Sequence, residues 1–110
     1  MNPSIKQAWT EALRSGDYQQ GRENLCSNGK FCCLGVLTDL YIKETNQQWH
    51  HNVGGFYSFE TEGGVLPFSV QQWAGLDAPN PYITGFHLTS WNDEVGTSFE
   101  EIADLIEAHL

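Results

Sequence analysis

The sequence predicts a small α+β domain, mainly α, with about four helices and a minor β-hairpin or small sheet. Three observations carry this expectation. Apolar residues recur at helical spacing near both ends of the chain. Asn28-Gly29 stands between two short strand-like runs. The 110 residues suffice for one core and not two, because a chain of this size buries about two-thirds of its extended surface. With 40% hydrophobic and 17% charged residues, the composition is neither disordered nor collagenous nor coiled-coil.

The first element is expected over residues 3–15. Asn2 is a capping residue, and Pro3 fits the first helical position because its missing N–H has no partner there anyway. Ile5, Ala8, Trp9, Ala12 and Leu13 share one face, and Gly16 supplies a left-handed stop. Residues 17–30 form a compact unit in which Asn28-Gly29 favours a type I′ turn joining 25–27 to 30–32, with a simple loop as the alternative. A second helix is expected over 33–44, with Cys33, Leu34, Leu37, Leu40 and Tyr41 inward and Thr38, Asp39 and Lys43 outward. Gly35 disfavours a helix by about 1 kcal/mol relative to Ala. Either another backbone comes close there, or the helix begins only after it.

Residues 45–66 read as a glycine-flanked loop, a mobile flap or a strand segment. The best strand lies at 55–60, pairing with Val65-Leu66 or with the hairpin. Pro67 suits the first position of a short helix over 68–74 that buries Val70, Trp73 and Ala74; Gly75 ends it and Leu76 folds back. Pro79 and Pro81 favour an extended surface path to Leu88. The last helix, 98–109, opens with Thr97 and Glu100 as a capping box and Val95 as a staple residue. Its core stripe is Phe99, Ile102, Ala103, Ile106 and Leu110.

The formal net charge is −9, and its distribution says more than its sum. All five basic residues (Lys6, Arg14, Arg22, Lys30 and Lys43) lie within the first 44 positions, where five acidic residues balance them. The whole excess belongs to the remaining 66. This argues against direct binding to a nucleic-acid backbone, which needs a cationic face, and suits an acidic patch turned toward a basic partner. No apolar run is long enough for a transmembrane helix, and the amino terminus lacks the basic and apolar regions of a secretory signal. With an odd count of three cysteines, this leads to the expectation of a reducing, cytoplasmic setting.

Catalytic and metal signals are weak. Cys26, Cys32 and Cys33 lack zinc-ligand spacing, even with His50 and His51 added, and read as buried thiols. The histidines have no evident orienting partner, and no G-x-S-x-G, H-E-x-x-H or Walker A pattern occurs. Asn92-Asp93-Glu94 reads as a turn leading to the last helix. No catalytic residue, metal ligand or cofactor is therefore assigned. Aromatics are more suggestive: Trp49 and Trp91 fall in expected loops, and Tyr18, Tyr57 and Tyr82 lie outside the strong helices. Loop aromatics anchor protein partners or stack on bases. Arg14 and Arg22, flanking Tyr18, suit a phosphate or carboxylate. The binding candidates are Arg14, Tyr18, Arg22, Trp49, Tyr57 and Trp91. The plainer alternative is that the aromatics roof a small core and the arginines pair with Asp17 or Glu23.

Two stretches, WTEALRSGDYQQG at 9–21 and FCCLGVL at 31–37, resemble a pattern in small uncharacterised proteins of phages and prophages. Leu66-Pro67, WAGL at 73–76, Asn92-Asp93 and SFEEIADLI at 98–106 extend the likeness in the same order. The resemblance implies a phage-related accessory role and carries no catalytic assignment. The functional expectation is a non-enzymatic protein that binds a protein partner through an acidic and aromatic surface, one version being an inhibitor of a nucleic-acid-processing enzyme. Two alternatives stand beside it: a protein binding a nucleotide or other small anion, and a small enzyme using a His, Cys and carboxylate site.

Overall fold

The Asn2 side chain accepts hydrogen bonds from the N–H groups of Ser4 and Ile5, which opens α1 (Pro3–Arg14) as its sequence requires. The computed structural model describes residues 1–110. After α1 the chain forms β1 (Gln19–Gln20), then a hairpin of β2 (Cys26–Ser27) and β3 (Lys30–Phe31). Asn28 and Gly29 both take positive φ, 53° and 77°, the combination a type I′ turn demands. α2 follows at Cys33–Glu44, then β4 (His50–His51) and β5 (Phe56–Ser58). The five short strands join in the order β1-β3-β2-β5-β4, with β1 and β3 parallel and the other pairs antiparallel. Of the two pairings open to the strand near residue 57, the chain uses the hairpin: Cys26 faces Phe31 on one side and Tyr57 on the other.

α2 begins at Cys33, so Gly35 lies inside the helix, and close approach is its explanation. A Cβ built there would stand 1.7 Å from the Leu25 carbonyl oxygen. The helix is also more deeply buried than its pattern suggests. Thr38 and Asp39, expected to face outward, are buried, and the side chains of Tyr18 and Trp49 cover Asp39. The Thr38 hydroxyl donates back to the Leu34 carbonyl at 2.9 Å.

α3 spans Phe68–Ala74, with Pro67 at the N-cap rather than inside the helix. Gly75 is left-handed, and buried Leu76 donates its N–H to the Gln71 carbonyl at 3.0 Å. The path to Leu88 is not merely extended: it forms a second hairpin, β6 (Tyr82–Ile83) and β7 (Phe86–His87). Its turn places Thr84 at φ 44° and Gly85 at φ 105°. A β-branched residue is unfavourable in that region, which explains why the turn leaves so faint a signal in the sequence. A short helix, α4 (Leu88–Asp93), comes next, so Trp91 and Asn92 are helical rather than in a loop.

The capping box of α5 (Phe99–His109) is shifted by one residue from expectation: Ser98 and Glu101 form it, not Thr97 and Glu100. Both pairs satisfy the local pattern. Thr97 is instead buried, donating its N–H to the Trp91 carbonyl and accepting from Gln20. Val95 is 47% exposed and staples nothing. α1 lies along α5, and Trp9, Leu37, Phe99, Ile102 and Ile106 share one hydrophobic core. Trp9 is fully buried, and its Nε1 donates to the Cys33 carbonyl at 2.9 Å.

Candidate functional site

Asn92 is the polar hinge of the interior. Its Oδ1 accepts from the Cys33 N–H at 3.2 Å and from Gln20 Nε2 at 3.0 Å, while Nδ2 donates to the Gly21 carbonyl at 2.8 Å. One amide thereby ties α4 to β1 and to the start of α2. All its polar atoms are satisfied, so its burial is stable.

A groove of about 690 Å³ runs between α1 and α2, lined by Ala8, Ala12, Tyr18, Phe31, Asp39 and Lys43 among others. Asp39 is its centre. Its Oδ2 accepts from the Tyr18 hydroxyl at 2.5 Å and meets Lys43 Nζ at 3.0 Å; its Oδ1 accepts from Trp49 Nε1 at 3.0 Å. Phe31 closes the cluster, edge-on to Tyr18 at 5.0 Å and tilted against Trp49 at 6.3 Å. Burial alone would raise the Asp39 pKa, yet the hydrogen bonds from Tyr18, Trp49 and Lys43 together outweigh it and hold the carboxyl below its ordinary value. Burial, then the bond to Asp39, pushes the Tyr18 hydroxyl up to about 12. A group suited to general acid–base work titrates near the operating pH, and these two move away from neutrality in opposite directions. The cluster fixes the segments at Tyr18 and Trp49 onto α2.

This has a testable consequence in acid. Because the folded chain holds Asp39 ionised to lower pH than the unfolded chain does, protons bind the unfolded state first. The associated stability is present above about pH 4 and is lost as pH falls through the folded value. Asp39→Asn is expected to be less stable at neutrality, since one carbonyl oxygen replaces two acceptors. The stability difference between wild type and variant should narrow in acid. Urea unfolding at a series of pH values measures this; a difference that stays constant down to acid pH would refute it.

The three thiols lie apart from such chemistry. Cys26, Cys32 and Cys33 are free and buried, and burial pushes Cys26 and Cys32 up to about 11 and holds Cys33 well above the ordinary thiol value.

The candidate residues named from sequence fall into three groups. Tyr18 and Trp49 meet on Asp39. Tyr57, on β5, stacks on His51 with centroids 4.8 Å apart. Arg14, Arg22 and Trp91 gather toward α5. Arg14 Nη2 forks to Asp104 at 2.7 Å and Glu107 at 2.6 Å, rather than to Asp17 or Glu23. Arg22 is exposed and reaches toward Gly96. Trp91 is half-buried, donating Nε1 to the Ile83 carbonyl at 2.9 Å, with Phe86 edge-on to its ring at 5.0 Å. The two arginines thus do not converge with Tyr18.

Around Trp91 lies a feature that sequence reading missed. Phe86 (46% exposed) packs edge-on against it, exposed Val95 lies beside it, and a second groove of about 490 Å³ opens between Trp91 and Leu105; Tyr82 (63% exposed) stands on the other side of the hairpin, against His87. Asp93, Glu94, Glu100, Glu101, Asp104 and Glu107 all lie within residues 88–110, which contain no Lys or Arg. The concentration of charge was legible; its joining to an apolar strip needed the β6–β7 hairpin and α4.

The fold and these surfaces define a small, mainly α, α+β domain bearing aromatic clusters and surface ion pairs, with no helix long and apolar enough to cross a membrane. The chain belongs to the family described as a domain of unknown function, DUF8296, whose model matches residues 1–110. No curated protein and no solved structure matches it.

Proposed function

We propose that the protein works by binding another protein through the surface formed by the β6–β7 hairpin, α4 and α5. The observation that carries this reading is the exposure of Phe86 and Val95 around Trp91, on a surface whose carboxylates Asp93, Glu94 and Glu101 make no ion pair. Exposed aromatics supply anchoring area at small entropic cost, and a one-signed field steers an oppositely charged partner. In the setting that the motif resemblance implies, this is a phage-related accessory protein of the cytoplasm. A nucleic-acid-processing enzyme fits as target, because its cationic face is complementary to the acidic one here. A nucleotide or small-anion site at Tyr18 draws less support, since Arg14 is engaged by Asp104 and Glu107, away from that groove.

The test compares affinity capture by wild type, by a Tyr82→Ser/Phe86→Ser double variant and by Phe68→Ser, which alters an exposed aromatic on α3. One partner should be retained by wild type and Phe68→Ser, lost with the double variant, and released by salt. A partner retained equally by all three would place recognition elsewhere.

A further inference from the structure

We infer that Asn28-Gly29 is a self-modification site, where the chain converts Asn28 to aspartate and isoaspartate with loss of ammonia, and that the isoaspartate form loses the β2–β3 pairing. Such a reaction needs an asparagine amide that nothing holds and, after it, a backbone N–H that is unpaired and unhindered. Of the seven asparagines, Asn2 and Asn80 precede proline, which has no N–H. The N–H after Asn24 donates to the Gly63 carbonyl at 2.7 Å, and the one after Asn46 to the Ile42 carbonyl at 3.0 Å. Asn92 is held by Gln20, Cys33 and Gly21. Asn52 donates to the Ser58 hydroxyl at 2.9 Å and is followed by a β-branched valine. Asn28 differs on every count. Its side-chain amide has no hydrogen-bond partner, the Gly29 N–H donates to no acceptor in the chain, and both residues are exposed. Nothing lies within 4 Å of the position a Gly29 Cβ would take.

The Gly29 nitrogen gives up its proton to solvent and attacks Asn28 Cγ. The new N–Cγ bond closes a five-membered imide, the Cγ–Nδ2 bond breaks, and ammonia leaves. Water then opens the ring at one of two carbonyls. Attack at Cγ restores the peptide bond and leaves an aspartate. Attack at the main-chain carbonyl carbon instead routes the backbone through Cβ and Cγ, which is isoaspartate. In the closed turn Asn28 is left-handed, at φ 53°, and the ring requires a different ψ, so the reaction draws on local opening of this exposed tip. The two products differ in consequence. Asp-Gly suits a type I′ turn as Asn-Gly does, so the aspartate form keeps the hairpin. Isoaspartate adds one backbone atom to a two-residue turn, and the Ser27–Lys30 and Cys26–Phe31 register depends on that length. β2 also pairs with β5, and Phe31 packs on Tyr18 and Trp49, so the loss reaches the centre of the sheet and the cluster at Asp39.

The test holds the purified protein in warm, mildly alkaline buffer and follows it by intact mass, peptide mapping and enzymatic methylation of isoaspartate. A synthetic peptide of residues 24–32 in the same buffer sets the time scale. Wild type should gain about 1 Da at position 28, faster as pH rises because the nitrogen must be deprotonated. Asn28→Gly, whose Gly-Gly pair still suits the turn, should gain none. The isoaspartate fraction, separated by anion exchange, should unfold at lower urea concentration than the unmodified chain, while Asn28→Asp unfolds close to wild type. The inference is overturned if the mass gain maps to another asparagine, if Asn28→Gly gains it equally, or if the folded chain stays unmodified after the peptide has fully converted. An isoaspartate fraction as stable as the unmodified chain would overturn it as well.

Discussion

Replacing Gly35 with Ala is expected to destabilise the fold by about 3 kcal/mol or more, the severe end of overpacking effects. The atoms in the way are backbone: the new Cβ would lie 1.7 Å from the Leu25 carbonyl oxygen and 2.6 Å from its carbon. Leu25 has little freedom to retreat. It is fully buried, its N–H donates to the Gly63 carbonyl at 2.7 Å, and its own carbonyl accepts from the Cys32 N–H at 3.3 Å. Moving it would disturb the β2–β3 hairpin and the strand paired with it. Helix propensity alone gives the opposite sign, a gain of about 1 kcal/mol for Ala over Gly. The experiment therefore separates two physical accounts by direction as well as size. Urea unfolding of both chains decides it: a Gly35→Ala chain as stable as wild type would mean that α2 and the Leu25 backbone are further apart than described. Against the 5–15 kcal/mol typical of whole domains, the expected loss leaves a marginal fold.

Phe99→Ala should cost about 3–5 kcal/mol. Phe99 is 7% exposed and shares the core with Trp9 and Leu37, the residues through which α1, α2 and α5 meet. Truncation removes a large apolar surface and leaves a cavity that three helices cannot easily close, since α1 is also held to α5 by the Arg14 fork. The Ser98–Glu101 capping box is untouched, so the loss reports packing rather than helix initiation. Calorimetry or chemical unfolding measures it. A loss below about 1 kcal/mol would show that α5 does not contribute to the shared core.

How much of this was legible from sequence depends on whether the signal is local. α1, α3 and α5 each combine an apolar face with an end signal, α2 shows the apolar spacing alone, and Asn28-Gly29 writes the first hairpin directly. The β6–β7 turn lacks such a signal because Thr84 occupies a conformation its side chain disfavours. α4 has only six residues, too few to establish a period. The ambiguity between Thr97 and Ser98 could not be resolved locally, because both precede a glutamate by three positions; the burial of Thr97 against α4 resolves it.

The candidate surfaces divide in the same way. Tyr18, Trp49 and Trp91 are recognisable as aromatics outside the strongest helices, and the acidic excess after residue 44 is plain arithmetic. Nothing in the α2 pattern marks Asp39 as the carboxylate that binds Tyr18 and Trp49, since a polar residue between apolar ones normally faces water. Arg14 could be matched to nearby Asp17 by proximity in sequence, yet its partners are 90 and 93 residues further on, reached only because α1 lies along α5.

By itself, the sequence determined the helices that carry their own period and caps, the first hairpin and the sign of the carboxyl-terminal half, because propensity, capping and charge are properties of neighbouring residues. The tertiary structure alone decided which glycine must remain bare, which carboxylate is buried and which aromatics stand together at an acidic groove. Those outcomes depend on distances between segments far apart in the chain, and such distances exist only once the helices and the sheet have packed.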